Sequence, residues 1–328
     1  MSSFSSRLVW VDWMKTIAMF FIIAGHCWVP GNKYIYVFSV PCFFMISGFL
    51  ARKEDSLQMF WRKIWWNLVV PMCLMFLLNT VVQFAIQIFK GTFDVNFLWQ
   101  APLLALIGMQ GQEFAAGGLK ALWFVYSLIV CKIIFQFIPQ KGEKITLLFV
   151  SVFCLFGAWI LHIHGIVIRN AIVDVLLAMP FFAIGYLLRP YKNKLDGCSS
   201  PMSLLFLIVG IAGVWLCGTY NDIVMIYRCQ FGSNLLLCLV GAICGTTAVF
   251  ALSSLLKPYL ASTVGVLGGG TLLILGLHFL IIQIIQQFLS ISGMWLYVES
   301  FLILVSFLPV ILFVKRFMPV LYGLYRVR

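Results

Sequence analysis

The sequence predicts an all-α integral membrane protein: one polytopic domain over residues 1–328, a bundle of about ten transmembrane helices with both termini cytoplasmic. Three observations carry this prediction. Of 328 residues, 63% are hydrophobic and 10% charged, whereas soluble domains run near about 45–50% apolar and about 25% charged. The apolar residues fall into runs close to the roughly 20 residues that cross a hydrocarbon core. The Lys and Arg residues concentrate in alternate segments between those runs, as the positive-inside rule requires.

The first run, 8–29, reads LVWVDWMKTIAMFFIIAGHCWV and contains Asp12, Lys15 and His26. Ionisable groups inside a membrane-length stretch are costly and mark candidate functional sites. On a helix, eleven residues turn through about 1100°, which leaves only about 20° between Lys15 and His26. Asp12 precedes Lys15 by three and shares its face. The stripe is therefore expected to face the interior of the bundle, with roughly 16 Å between Lys15 and His26. The run has no small-residue cleavage site after a short apolar core, so it is expected to be a retained span.

The second run, 34–50, is short and contains Pro41; the third, 64–88, carries Asn67, Pro71, Asn79 and Gln83 and is expected to face protein in part. Runs 121–138, 146–163, 171–188, 202–218, 233–256, 264–289 and 295–314 complete the ten. In run 264–289, Gly265, Gly268, Gly269 and Gly270 have no following Lys-Ser/Thr and no preceding strand, which excludes a P-loop. They are expected to permit close helix packing or a helix break. No internal repeat of the transporter kind is visible.

With the N-terminus inside, fifteen Lys and Arg residues lie in inner segments and five in outer ones. The net charge of +12 is then a matter of topology rather than a nucleic-acid footprint. The ten cysteines fall mostly in apolar runs, with no CxxC pair and no zinc spacing, so no metal is expected. The one long polar stretch, 89–120, includes Asp94 and Glu113 and has the length of a lid, a binding loop or a connector.

Depth along the spans places His26, His278, Asp174 and Glu299 in the outer half of the membrane. Imidazole suits proton transfer near neutrality. On the inner side Arg52, Lys53, Arg62 and Lys63 lie beside the starts of spans one and three, and with Lys15 they offer the cations a polyphosphate would need. From these residues alone, an enzyme, a proton-coupled secondary transporter and a glycan flippase all remain open.

The first span resembles that of the acyltransferase-3 family of integral membrane acyltransferases: a basic residue, ten residues, then His, here Lys15 and His26. Tyr34–Leu50 is similar to the family's F-x-x-P-x-F-F-x-x-S-G segment through Phe38, Pro41, Phe43, Phe44, Ser47 and Gly48. Arg62 ahead of Pro71, the LWF of 122–124, the run from Asp174 through Phe181, Phe182, Gly185 and Tyr186, and the segment closing on His278 follow in order. Lys15 replaces the family's usual Arg, and Ser39 stands where the sugar O-acetylase branch, similar to fucose 4-O-acetylases, often has His.

The resemblance implies transfer of an acyl group, acetyl by default, from cytoplasmic acetyl-CoA to a hydroxyl of an extracytoplasmic or lipid-linked carbohydrate. It implies His26 as general base or acyl carrier, Asp12 holding Lys15, and His278 or Asp174 positioning the acceptor. Lys15, Arg62 and Lys63 would meet the donor's phosphates. The expected setting is a bacterial cytoplasmic membrane, with lipids as surroundings and a homo-oligomer possible.

Overall fold

The computed structural model describes residues 7–92, 95–96, 99–100, 103–104, 108 and 121–322. Most of the 89–120 stretch, with Asp94 and Glu113, lies outside the described residues. The architecture is helical throughout, with one isolated antiparallel bridge, Met225 to Gln230, among the described residues.

α1 (Val9–His26) is a single unbroken helix. α2 (Asn32–Tyr36) and α3 (Ser39–Phe49) divide the second predicted span at Val37 and Phe38. Pro41 explains the division: its ring is tolerated in a first helical turn, where no intrahelical N–H bond is needed. α4 (Leu57–Ile64) runs through a π-turn at Trp65–Val69 into α5 (Val70–Phe89). Pro71 lacks an N–H and would clash with the carbonyl four residues earlier; the wider π-turn ahead of it removes that conflict.

α6 (Trp123–Phe137), α7 (Glu143–Ile163) and α8 (Val175–Leu188) follow. α9 (Lys192–Asp196) is a short connector, and α10 (Ser200–Tyr220) and α11 (Leu235–Leu256) form a long packed pair. The ninth predicted span is two helices, α12 (Ala261–Gly269) and α13 (Thr271–Phe288), interrupted at Gly270. α14 is Trp295–Phe317.

Among the described residues, six segments are long and apolar enough to cross a membrane: 57–89, 143–163, 200–220, 235–256, 271–288 and 295–317. α1 has 18 residues but carries Asp12, Lys15 and His26. α3 and α8 are shorter and largely buried. Lipid-facing helices show the opposite pattern: Phe149 and Phe153 on α7 are 72% and 74% exposed, which suits acyl chains rather than water.

α1 is the hub. It packs on α2, α3, α11, α12, α13 and α14, so its polar stripe is sheltered from lipid, as a charged stripe must be. On one flank α3 and α8 cross with their backbones in contact at Gly48 and Gly185. On the other, Gly268 brings α12 against the Asp12 backbone, and Gly276 brings α13 against Met75 of α5.

Candidate functional site

His26 is the last residue of α1, and the carbonyl groups of that terminus need partners from outside the helix. The Gly25 carbonyl accepts hydrogen bonds from Asn32 Nδ2 and Tyr36 Oη, both at 2.9 Å. These two bonds, from α2, fix the direction in which α1 ends.

His278 comes from α13 and is fully buried. Its Nδ1 lies 2.9 Å from the Ile274 carbonyl. A carbonyl only accepts, so Nδ1 carries the proton and Nε2 of the neutral ring presents a lone pair. Nε2 is buried with no hydrogen-bond partner. The His26 and His278 ring centroids are 5.2 Å apart, and Phe279 lies 4.3 Å from His26 and 5.2 Å from His278. Asn79 of α5 ties down this part of α13 by donating to the Gly276 carbonyl at 2.8 Å, and to its own Met75 carbonyl at 2.8 Å. Gln83 makes a second bond from α5 to α13, to Gln283.

Glu299 enters from α14 with 4% of its surface exposed. Its neighbour Ser300 donates to the Leu296 carbonyl at 2.7 Å, and the Glu299 carboxyl group lies within electrostatic reach of the Cys27 sulfur. Asp174 stands at the head of α8, fully buried, and its side chain makes no capping bond to the helix. It faces Cys229 in the loop before α11, where burial first, and then the Asp174 charge, push the thiol up to about 12.

Towards the other end of α1, the structure pairs Asp12 with Arg7 rather than Lys15: Arg7 Nε donates to Asp12 Oδ2 at 2.6 Å. Arg7 is the closer fit because Gly265 of α12 leaves room for its guanidinium. Lys15 is half-buried and has no carboxylate within 4.0 Å among the described residues. Arg62 and Lys63 lie exposed on α4, and Lys63 is held by Glu54 at 2.5 Å.

The model of an acyltransferase domain matches residues 8–315, from the cap of α1 into the last turn of α14. The chain belongs to the acyltransferase-3 family. No curated protein and no solved structure matches it.

The His26 end of α1 gathers groups suited to proton transfer near neutrality. It has an imidazole, a second imidazole of fixed tautomer, and the Phe279 ring against both. Sequence reading placed His26 and His278 at one depth, and the structure brings their rings together. It missed an ionic network at the ends of α3, α6, α7 and α8. Lys53 pairs with Glu143 at 2.6 Å and bonds the Ile138 carbonyl, Tyr186 donates to Glu143, and Arg189 donates to the Ala51 carbonyl at 2.7 Å. Lys53 stood among the inner-side cations offered to a polyphosphate, whereas the structure pairs it with Glu143; the signal lay in Glu143, an acidic residue just ahead of an apolar run, where the helix dipole favours it.

Proposed function

We propose that this membrane acyltransferase moves an acetyl group from acetyl-CoA, entering from the cytoplasmic side, to a hydroxyl of an extracytoplasmic or lipid-linked carbohydrate. The observation that carries the reading is the His26–His278 pair, two imidazoles 5.2 Å apart at the end of the central helix. His26 acts as general base. It takes the proton of the acceptor hydroxyl as that oxygen attacks the thioester carbonyl. The carbon–sulfur bond then breaks, and the proton passes to the leaving thiolate. Such a base is worth about 10²–10⁴ in rate.

Lys15 lies eleven residues, roughly 16 Å, before His26 on the same face. That separation suits an extended donor with phosphates at one end and a thioester at the other. Arg62 is a second candidate for the phosphates; Lys63 would first have to leave Glu54. The reading makes Lys15 the donor-binding end and His26 the reacting end.

The test uses purified protein in lipid nanodiscs. His26→Ala is expected to abolish acetyl transfer while acetyl-CoA still binds. Lys15→Ala is expected to weaken acetyl-CoA binding, with slower turnover recoverable at high donor concentration. Equal loss of donor binding in both variants would refute the two-ended arrangement. Solute uptake with no acetylated product would replace the enzyme by a transporter. Mass spectrometry of surface glycans from cells with and without the protein identifies the acceptor through the mass of one acetyl group.

A further inference from the structure

α1, α13 and α14 pack on one another, and each brings one ionisable side chain to the same end of the bundle: His26, His278 and Glu299. His26 and His278 serve the chemistry proposed above. Glu299 has no part in it, and no described residue hydrogen-bonds its carboxyl group. Its residue is 4% exposed, and neither carboxylate oxygen has a hydrogen-bond partner.

A carboxylate buried in this way is costly unless something donates to it. Its level in the bundle is marked by Cys27, the residue that follows His26, because both Glu299 and its neighbour Ser300 lie within electrostatic reach of that thiol. Tyr297, two residues earlier, donates to the Pro30 carbonyl at 2.8 Å. The first turns of α14 are thus clamped along the segment that leaves His26. On the neighbouring α13, His278 Nε2 is a further buried atom with no partner among the described residues, and it too presents a lone pair.

As a carboxylate Glu299 accepts, and so does the Nε2 lone pair of His278, so a ligand that satisfies both is rich in hydrogen-bond donors. An acetyl thioester offers only acceptors at its reacting end. A sugar ring offers several hydroxyl donors at fixed spacing. We propose that Glu299, with His278 Nε2, forms the acceptor site. Glu299 accepts hydrogen bonds from hydroxyls flanking the one that is acetylated, and so selects which hydroxyl meets His26. This rests on the carbohydrate-transfer reading. It adds an acceptor-binding residue to that site and makes the site specific for vicinal hydroxyls.

The probe is a glycan and lipid-linked glycan extract from cells lacking the protein. It is incubated with acetyl-CoA and the protein in nanodiscs, with transfer read by mass spectrometry. With the wild-type protein, failure to acetylate any glycan would sink the carbohydrate reading itself. With transfer established, Glu299→Gln is expected to raise the half-saturating acceptor concentration about tenfold to a hundredfold, the worth of hydrogen bonds to a charged group. Acetyl-CoA binding stays at the wild-type value, and acetyl groups spread to neighbouring hydroxyls. Glu299→Asp keeps the carboxylate and shows a smaller rise. Unchanged acceptor saturation and unchanged positional pattern in Glu299→Gln would overturn the assignment. So would both variants failing to fold, which would make Glu299 structural.

Discussion

Gly48 and Gly185 allow α3 and α8 to touch backbone to backbone, and replacing either tests the architecture directly. A methyl group on Gly48 would lie 1.8 Å from the Phe182 carbonyl oxygen, and one on Gly185 would lie 1.9 Å from the Met45 carbonyl oxygen. Real Cβ atoms essentially never come closer than 3.0 Å to such a neighbour, so Gly48→Ala must part the helices by about 1.2 Å. No single side chain can absorb this, because the obstacle is backbone flanked by the fully buried Phe181, Phe182 and Leu177. Overpacking typically costs about 1–3 kcal/mol when side chains can shift. A gap of about 1 Å forfeits roughly a quarter to a half of the dispersion energy of the pairs facing it. The expected loss for Gly48→Ala is therefore about 3 kcal/mol or more. Gly157 is the internal control: its added methyl would meet only the Leu176 side-chain end, at 3.3 Å. There the helix propensity of Ala, worth up to about 1 kcal/mol over Gly, offsets the contact. Heating the detergent-purified variants and following the folded peak by size-exclusion chromatography should show Gly48→Ala melting roughly 5–10 °C lower and Gly157→Ala close to wild type. Equal melting of the two variants would refute the backbone-contact reasoning.

Asn79→Ala removes both Nδ2 hydrogen bonds of a buried amide and unties α13 two residues before His278. It is expected to cost about 1–2 kcal/mol of stability, and to lower turnover more than donor affinity, measured by thermal unfolding and by acetyl-transfer kinetics. Burial pushes the Cys229 thiol to about 12 from an ordinary 9.0, so at pH 8 a maleimide should label it far more slowly than the partly exposed Cys198. The unfolded chain releases this proton first as pH passes 9. The contribution of Cys229 to stability is therefore intact below pH 9 and falls as pH rises towards about 12, which a denaturation series across that range would show.

α1 was legible in full because its signal was helical periodicity: three polar residues on one stripe demand both a continuous helix and a covered one. The similar depth of His26 and His278 was legible for a related reason, since counting residues along two spans that run in the same direction gives depth. Counting residues does not show where runs break. Run 34–50 reads as continuous, yet Pro41 starts a new helix within it. The segment 57–64 looked like a polar loop, because Lys63 and Arg62 mask a helix that continues through the π-turn. α7 begins at Glu143, three residues before the apolar run, because a charged first turn is invisible to hydropathy while favourable to the helix dipole. Among the glycines, a break and a close approach look alike in sequence: Gly270 is the break, and Gly265 and Gly268 are approaches.

Side-chain pairing was the least legible level, and Asp12 shows why. Spacing of three on a helix made Lys15 its natural partner, but Arg7 reaches it from outside the helix across the space left at Gly265. The consequence is functional. With Asp12 held by Arg7, Lys15 has no ion pair within 4.0 Å among the described residues, and the proposed reading assigns it to a donor phosphate. Arg7→Ala should therefore weaken acetyl-CoA binding without Arg7 touching the donor, because Asp12 becomes free to pair with Lys15. Adding Asp12→Asn to that variant removes the competing carboxylate and should restore the binding. Isothermal titration of wild type, the two single variants and the double variant decides between the possibilities. Recovery in the double variant identifies Arg7 as the residue that keeps Lys15 available. A double variant as weak as Arg7→Ala would instead place Arg7 itself on the donor, and the phosphate end of the site would lie a full turn further from His26 than Lys15 implies.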